Sequence, residues 1–278
     1  MLPIAARSFS KTTKICDLSW LFKADKLSPS FIKAVDSMPE YKLELENFSR
    51  GFVWKRGDIE FQIFDKNQLQ GYREIIAQCF AYHSAFKKYV DFSYEEWRDY
   101  VLPELAEQTD FLKFSVAARV KGELAGVLYS MSWASRPQFP VYLKPNSKEV
   151  WEKLKNFAQL INKSIPFNFG EPDRSGKLSQ GTLDRSSVLY LADVGVLPEF
   201  NGKNLSYDLM FLSASLGYLY ELRYAMAVSF DVRSSFIQKL GGVSFKPIYF
   251  KDCEVEGIKQ YPVAVEGEGV SCLFLNMS

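Results

Sequence analysis

Residues 188–210, VLYLADVGVLPEFNGKNLSYDLM, constrain the fold more than any other stretch of the chain. The run 188–196 is apolar except for Asp193 and reads as a buried strand. A turn at Pro198 and a short polar loop follow. An amphipathic run over about residues 203–220 then predicts a helix. A buried strand that passes through a tight loop into a helix belongs to an α/β protein. It is also a phosphate-binding geometry, because the first helix amides have no intrahelical partner and the macrodipole adds positive charge there. The expected ligand bears phosphate. The alternative is a plain surface turn between strand and helix, which is the default for such a loop in isolation.

The flanking elements alternate in the same manner. Residues 58–64, DIEFQIF, alternate as a strand, and 66–80 place Leu69, Tyr72, Ile75, Ile76 and Cys79 on one helical face. Ser93 with Glu96 three residues on is a capping-box pattern, and Pro103 ends or kinks the helix that follows. Residues 111–120 and 123–132 predict two strands joined at Lys121-Gly122. Residues 136–184 interrupt this rhythm with a helix at 148–162 and a polar stretch, FGEPDRSGKLSQGTLDRSS. That stretch reads either as a mobile substrate lid or as a solvated insertion with no role. Residues 223–229 predict a strand, and 234–240 a short helix capped at Gly241-Gly242. Strands at 243–250 and 270–276 close the domain. Residues 1–57 form an N-terminal extension, in which LSWLF is apolar enough to bury, and 58–278 form the main domain with its insertion at about 136–187.

Composition narrows the function classes. A net charge of +1 argues against a dedicated nucleic-acid surface. No apolar run is long enough to span a bilayer, so no membrane partner is expected. The 4 cysteines, Cys16, Cys79, Cys253 and Cys272, show no metal spacing, and with His83 alone available a zinc site is not expected. Free thiols fit a reducing compartment. The opening MLPIAARSFSKTTK is basic and hydroxyl-rich, and Arg7-Ser8-Phe9-Ser10 resembles a matrix-protease cleavage site. Two locations stay open: a mitochondrial matrix protein with a transit peptide, or a cytoplasmic protein with a basic tail.

The order Val-x-Pro-Glu-aromatic-x-Gly-Lys in the signature segment resembles the acetyl-coenzyme A signature of the GNAT superfamily of N-acetyltransferases. That signature reads Arg/Gln-x-x-Gly-x-Gly/Ala, and its six positions here are Asn201, Gly202, Lys203, Asn204, Leu205 and Ser206. Three of them depart: Asn201 replaces Arg or Gln, Asn204 the first Gly, and Ser206 the second small residue. The loop grips pyrophosphate mainly with backbone amides, so many side chains are tolerated. A left-handed backbone costs most residues roughly 1–2 kcal/mol, and Asn bears it better than most. Gln238-Lys239-Leu240-Gly241 resembles the family's Glu-Lys-Leu-Gly-Phe ending of the next-to-last helix. The order β-α-α-β-β, insertion, β-α-β-α-β-β is similar to the complete family fold, a mixed sheet split at the signature strand. CFAYHSAFKKYVDFSYEEW resembles the early helices of the insect-type arylalkylamine acetyltransferases. In place of that group's Asp-Glu-Pro-Leu run, which bears a catalytic Glu, the chain carries His83, Ser84, Ala85 and Phe86.

The resemblance implies an acetyl-coenzyme A-dependent N-acetyltransferase that acts on a small primary amine, an arylalkylamine among them. It implies backbone contacts to the thioester from Val194, Gly195 and Val196. Asp193, beside the expected cleft, is the first candidate base, with His83 and Glu60 as rivals. A buried Asp more often caps a loop or pairs with a cation. A family Tyr that protonates the thiolate corresponds to Ile237, which cannot do so. Ser229, at the end of the preceding strand, hydrogen-bonds the thiolate or a water, or merely caps the strand. Arg233 reaches toward the phosphates or stays solvated. Tyr82, Phe86, Tyr89, Trp97 and Trp133 line an acceptor pocket or an aromatic core. Missing acid–base groups do not imply inactivity. Orientation supplies roughly 7–11 kcal/mol, against about 10²–10⁴-fold from a positioned base. The alternatives are a catalytically degenerate protein that binds acyl-coenzyme A, or one that has lost the cofactor and binds a protein partner.

Overall fold

The computed structural model describes residues 39–277, apart from residues within 84–90, 102–108, 136–147, 174–181, 231–241, 256–257 and 260–265, and residue 246. Cys16, the basic N-terminus, LSWLF, Phe86, Tyr89, Pro103, Arg233, Ile237 and the helix expected at 234–240 lie outside the described residues.

The chain enters through helix α1 (Pro39–Ser49) and a hairpin of β1 (Trp54–Arg56) and β2 (Ile59–Ile63). Helix α2 (Leu69–Gln78) continues as a π-helical turn over Cys79–His83. Ser93 opens α3 (Tyr94–Glu96) with a complete capping box: its hydroxyl accepts from the Glu96 amide, and the Glu96 carboxylate accepts from the Ser93 amide at 2.7 Å. Another π turn, Trp97–Val101, follows. Helix α4 (Thr109–Phe114) then leads into β3 (Val116–Val120) and β4 (Glu123–Ser132). Lys121 and Gly122 join them with φ of 51° and 87°, a two-residue turn whose twist suits a hairpin.

Helix α5 (Lys148–Ser164), a parallel pair β5 (Asn168–Gly170) and β6 (Thr182–Asp184), and β7 (Val188–Val196) come next. Helix α6 (Leu205–Leu219) and β8 (Tyr224–Ser229) follow. Short strands β9 (Val243–Ser244), β10 (Ile248–Tyr249), β11 (Glu254–Val255) and β12 (Ile258–Lys259) precede β13 (Gly269–Asn276).

Nine strands share one mixed sheet in the order β1-β2-β3-β4-β7-β8-β13-β10, with β9 also on β13. Among the described residues only β7 and β8 pair in parallel within it. One face carries α1, α4 and α6, with Leu45, Phe48, Trp54, Leu128, Leu209 and Leu212 among its core residues. The other carries α2, α3 and α5, with Tyr72, Ile76, Trp97, Tyr129, Phe157 and Met226. This is the α/β fold class expected from the sequence. Helix α1 and β1, in the stretch read as an extension, supply Leu45, Phe48 and Trp54 to the core.

Two expected strands change form. Residues 111–114 are the end of α4 rather than the start of β3. Phe111, Leu112 and Phe114 suit one face of a short helix as well as an alternating strand, and a short apolar run does not distinguish them. The expected strand 243–250 is two short pieces, β9 and β10, both on β13. Pro247 lies between them and has no amide to give to the ladder.

Candidate active site

The site is built around β7. Across β4, Tyr129 faces Asp193 and Ser130 faces Leu191, so Ala192 is an extra residue, a β-bulge. Bulges bend and twist the strand that carries them. On its other edge β7 pairs with β8 only from Val188 to Leu191. Past the bulge the two strands part. β7 runs on to Val196 and β8 runs on from Ala227 to Ser229, which leaves a slit between them. Val194, Gly195 and Val196 continue β7 on one side of it, and Val228 and Ser229 continue β8 on the other.

Buried hydroxyls brace the bulge. The Ser115 hydroxyl donates to the Ser130 carbonyl at 3.2 Å and accepts from the Ser130 amide at 2.9 Å. Ser213 of α6 donates to the Ser130 hydroxyl at 2.8 Å. Ser115 thus serves β4 where the ladder with β3 has ended, and it leaves no buried backbone group of Ser130 unpaired.

Beyond β7 the chain makes the expected loop. Leu197 donates to the Ala125 carbonyl at 3.0 Å, and Pro198–Phe200 form a single 3₁₀ turn. Gly202 has φ +82°, and Asn204 stands in the left-handed region at φ 58°, ψ 23°. Asn204 is the N-cap of α6 and makes no side-chain cap bond. Asn201, Gly202, Asn204 and Ser206 are exposed, Lys203 is half-buried and Leu205 is buried in the core. The first amides of α6 have no intrahelical partner, and Asn204 and Ser206 beside them are exposed. The departure at Asn204 is therefore the kind of residue that the backbone there accepts.

Two basic groups and two acids frame the loop. Arg56, at the end of β1, donates to the Lys203 carbonyl at 2.6 Å and to the Asp208 carboxylate. Lys203 Nζ lies 3.5 Å from Asp58, in the hairpin turn after β1. Asp208 is 1 % exposed, in the first turn of α6. Burial pushes its carboxyl up to about 7, against the pull of Arg56. The folded value thus lies above the unfolded one, and the native state holds a proton that the unfolded chain releases between about pH 4 and pH 7. The resulting stability is complete below that window and is lost as the pH rises through about 7. We expect the melting temperature to fall by roughly 5 °C between pH 5 and pH 8. Asp208→Asn should flatten that slope. An equal slope in the variant would assign it to other groups.

Asp193 and Ser229 do not share a face. Asp193 stands across from Tyr129, on the face that carries α2. Ser229 is two residues past Ala227, which packs on the α6 face. The two would approach a ligand in the slit from opposite sides. Burial raises the Tyr129 phenol above its usual range, the Asp193 charge adds to this, and Arg73 opposes it. Tyr129 therefore stays protonated at neutral pH and cannot act as a base. Cys79, at the end of α2, lies against Gly195. Burial lifts its thiol to about 12, the Glu199 charge adds to this, and a hydrogen bond to the Val196 backbone opposes it. A thiol held there is not a nucleophile at neutral pH.

Other candidates fall elsewhere. Glu60 lies on β2, separated from β7 by both β3 and β4, and pairs with Lys55 at 2.5 Å. At about 4.8 Å per strand it is too far to serve as the base. His83 is exposed at the end of the π turn, beside Tyr82. Trp97 is buried at 1 % exposure among Phe80, Phe92 and Phe157, so it is core rather than pocket. Trp133 packs on Phe169 and Tyr190, with ring centres 4.5 and 5.2 Å away, by the start of β7 rather than its slit. Among the described residues there is no group of acids, histidines and cysteines that could hold a metal ion, and no helix long and apolar enough to cross a membrane. Arg56, Asp208, Tyr129 and Cys79 were not legible as site residues. Only Asp208 left a signal, a charge on the apolar face of a helix, which demands a partner without naming it.

The sequence matches no protein-family model and no curated protein. The fold does match solved structures. The C-terminal condensation domain of Ebony in complex with β-alanyl-dopamine aligns with a TM-score of 0.58 at 10% identity, over 78% of this chain and 98% of that one. Arylalkylamine N-acetyltransferase 2 from Aedes aegypti aligns at 0.55 and 14% identity, over 80% of this chain and 100% of that one. Drosophila melanogaster polyamine N-acetyltransferase, which forms N-acetylagmatine, aligns at 0.52 and 15% identity, over 79% of this chain and 100% of that one. With its bulged strand, its slit and its uncapped helix, the chain has the fold of the GNAT acetyltransferases.

Proposed function

We propose that the chain is an acetyl-coenzyme A-dependent N-acetyltransferase whose acceptor is a small primary amine, with arylalkylamines the leading class. The observations that carry this reading are the parting of β7 from β8 after Leu191 and the exposed start of α6, with no side-chain cap, in the loop that follows β7. The slit suits an extended pantetheine arm, and the loop 201–206 suits its pyrophosphate. The thioester carbonyl then lies beside the backbone of Val194, Gly195 and Val196. The amine enters from the α2 face, and Asp193 takes its proton as nitrogen attacks the carbonyl carbon. The carbon–sulfur bond breaks in the same ternary complex, and the departing thiolate takes a proton on the Ser229 side. Two of the structural neighbours, by their names, handle arylalkylamines or their amides, which favours that acceptor class.

Calorimetry with acetyl-coenzyme A, followed by an amine panel, tests the reading. Micromolar binding and turnover support it. Absence of binding ends it. Asp193→Asn is expected to lower kcat by about 10²-fold or more, with activity recovering toward pH 10 as free amine accumulates. An unchanged kcat removes Asp193 from the mechanism without removing the transferase. A second reading rests on Asn201 and on Ile237, which stands where the family has its Tyr: a protein that senses acyl-coenzyme A without turnover. Tight binding with no product from any amine identifies it.

A further inference from the structure

Resting on that reading, we infer that Arg56 is a positioning residue for the pyrophosphate, clamping the loop so that the Asn204 amide faces the ligand. Arg56 donates to the Lys203 carbonyl at 2.6 Å. In a trans peptide the carbonyl and the following N–H point in opposite directions. Fixing the Lys203 carbonyl toward the β1–β2 hairpin therefore turns the Asn204 amide away from it, toward the exposed side of the loop. The same guanidinium meets the Asp208 carboxylate. Where Asp208 is ionised, its charge in the first turn of α6 has the wrong sign beside an anion site, and Arg56 offsets it.

Stability alone does not account for the pair. Asp208 is 1 % exposed, and its Oδ1 has no hydrogen-bond partner. A buried ion pair of this kind is generally no better for folding than apolar residues of the same volume. Lys203 is tied to the same hairpin at Asp58, 3.5 Å away. Arg56 and Asp58 flank Gly57, which turns the hairpin at φ +61°. The hairpin thus holds the loop through both the backbone and the side chain of Lys203. The guanidinium suits this task because its planar fork can bond a carbonyl and a carboxylate together, whereas an ammonium is a point charge.

The test uses coenzyme A as probe, with calorimetry and amide exchange on the wild-type chain and on Arg56→Gln, Arg56→Lys and Asp208→Asn. Arg56→Gln is expected to weaken coenzyme A binding roughly 10- to 100-fold. It should raise the KM for acetyl-coenzyme A by a similar factor while kcat stays within about threefold. Exchange at Asn204, Leu205 and Ser206 should quicken in the unliganded variant. Arg56→Lys should recover only part of the affinity, and Asp208→Asn, which keeps the bond to Lys203, should lose little. Wild-type affinity in Arg56→Gln, or unchanged exchange at those amides, overturns the clamp. A wild-type chain that binds no coenzyme A defeats the functional reading instead, and the exchange of the unliganded proteins still decides the clamp. Should Arg56→Gln fail to fold, Arg56→Lys carries the same comparison.

Discussion

Gly202→Glu is expected to abolish acetyl-coenzyme A binding, by more than 100-fold in dissociation constant, while the fold survives. Two effects coincide at this position. Gly202 has φ +82°, so any side chain there strains the loop by roughly 1–2 kcal/mol. An added Cβ meets nothing within 4 Å, so the larger residue is not excluded by packing. The glutamate carboxylate then stands where the pyrophosphate is proposed to lie, and like charges repel strongly in a site built for anions. Calorimetry with acetyl-coenzyme A and a melting curve on the same sample separate the two effects. A melting temperature within a few degrees of wild type together with wild-type affinity would place the pyrophosphate elsewhere.

The second large effect is expected at Gly195. Its Cβ would lie 3.2 Å from Cys79 Sγ, 3.3 Å from Cys79 Cβ and 3.3 Å from the Ile76 Cα. Helix α2 therefore passes too close to β7 for a side chain. Gly195→Val must push the helix off the strand, and one of its obstacles is backbone. Overpacking of this kind costs about 1–3 kcal/mol or more, which lowers the melting temperature of a chain this size by roughly 5–10 °C. Turnover should fall further than stability, because α2 and the edge that carries Asp193 move apart. Cys79→Ala added to Gly195→Ala should regain part of what Gly195→Ala alone loses, since the sulfur is one of the three close atoms. A Gly195→Val protein as stable and active as wild type would show that α2 and β7 are less tightly apposed.

The strand, loop and helix at the centre of the site were legible because each is local. Apolar residues 188–196 announced β7 to the residue, and the helix read at 203–220 is α6 at Leu205–Leu219. Asn204 takes the left-handed backbone that its residue type permits. What stayed hidden depends on distant partners. The extra residue Ala192 is a bulge only in register with Tyr129 and Ser130 of β4. Arg56 meets Asp208 across 152 residues of sequence, and nothing near Arg56 in the chain calls for a carboxylate. Glu60 was a plausible base until the strand order set β3 and β4 between it and β7. Residues 111–114 failed for a different reason, since an apolar segment that short obeys both periodicities.

The pairing that ends at Leu191 has a mechanical consequence. Among the described residues the sheet is two antiparallel wings, β1-β2-β3-β4-β7 and β8-β13-β10, stitched by the register from Val188 to Leu191 and by the Arg223 amide, which donates to the Ser187 carbonyl at 2.8 Å just before it. Under load the seam is the weak join, and it opens from the slit inward like a zipper already started. On the proposed binding mode, acetyl-coenzyme A in the slit bridges both wings, so it would act as a keystone as well as a reactant. The loaded protein should then yield as one unit at higher force, where the unloaded one gives way at the seam first.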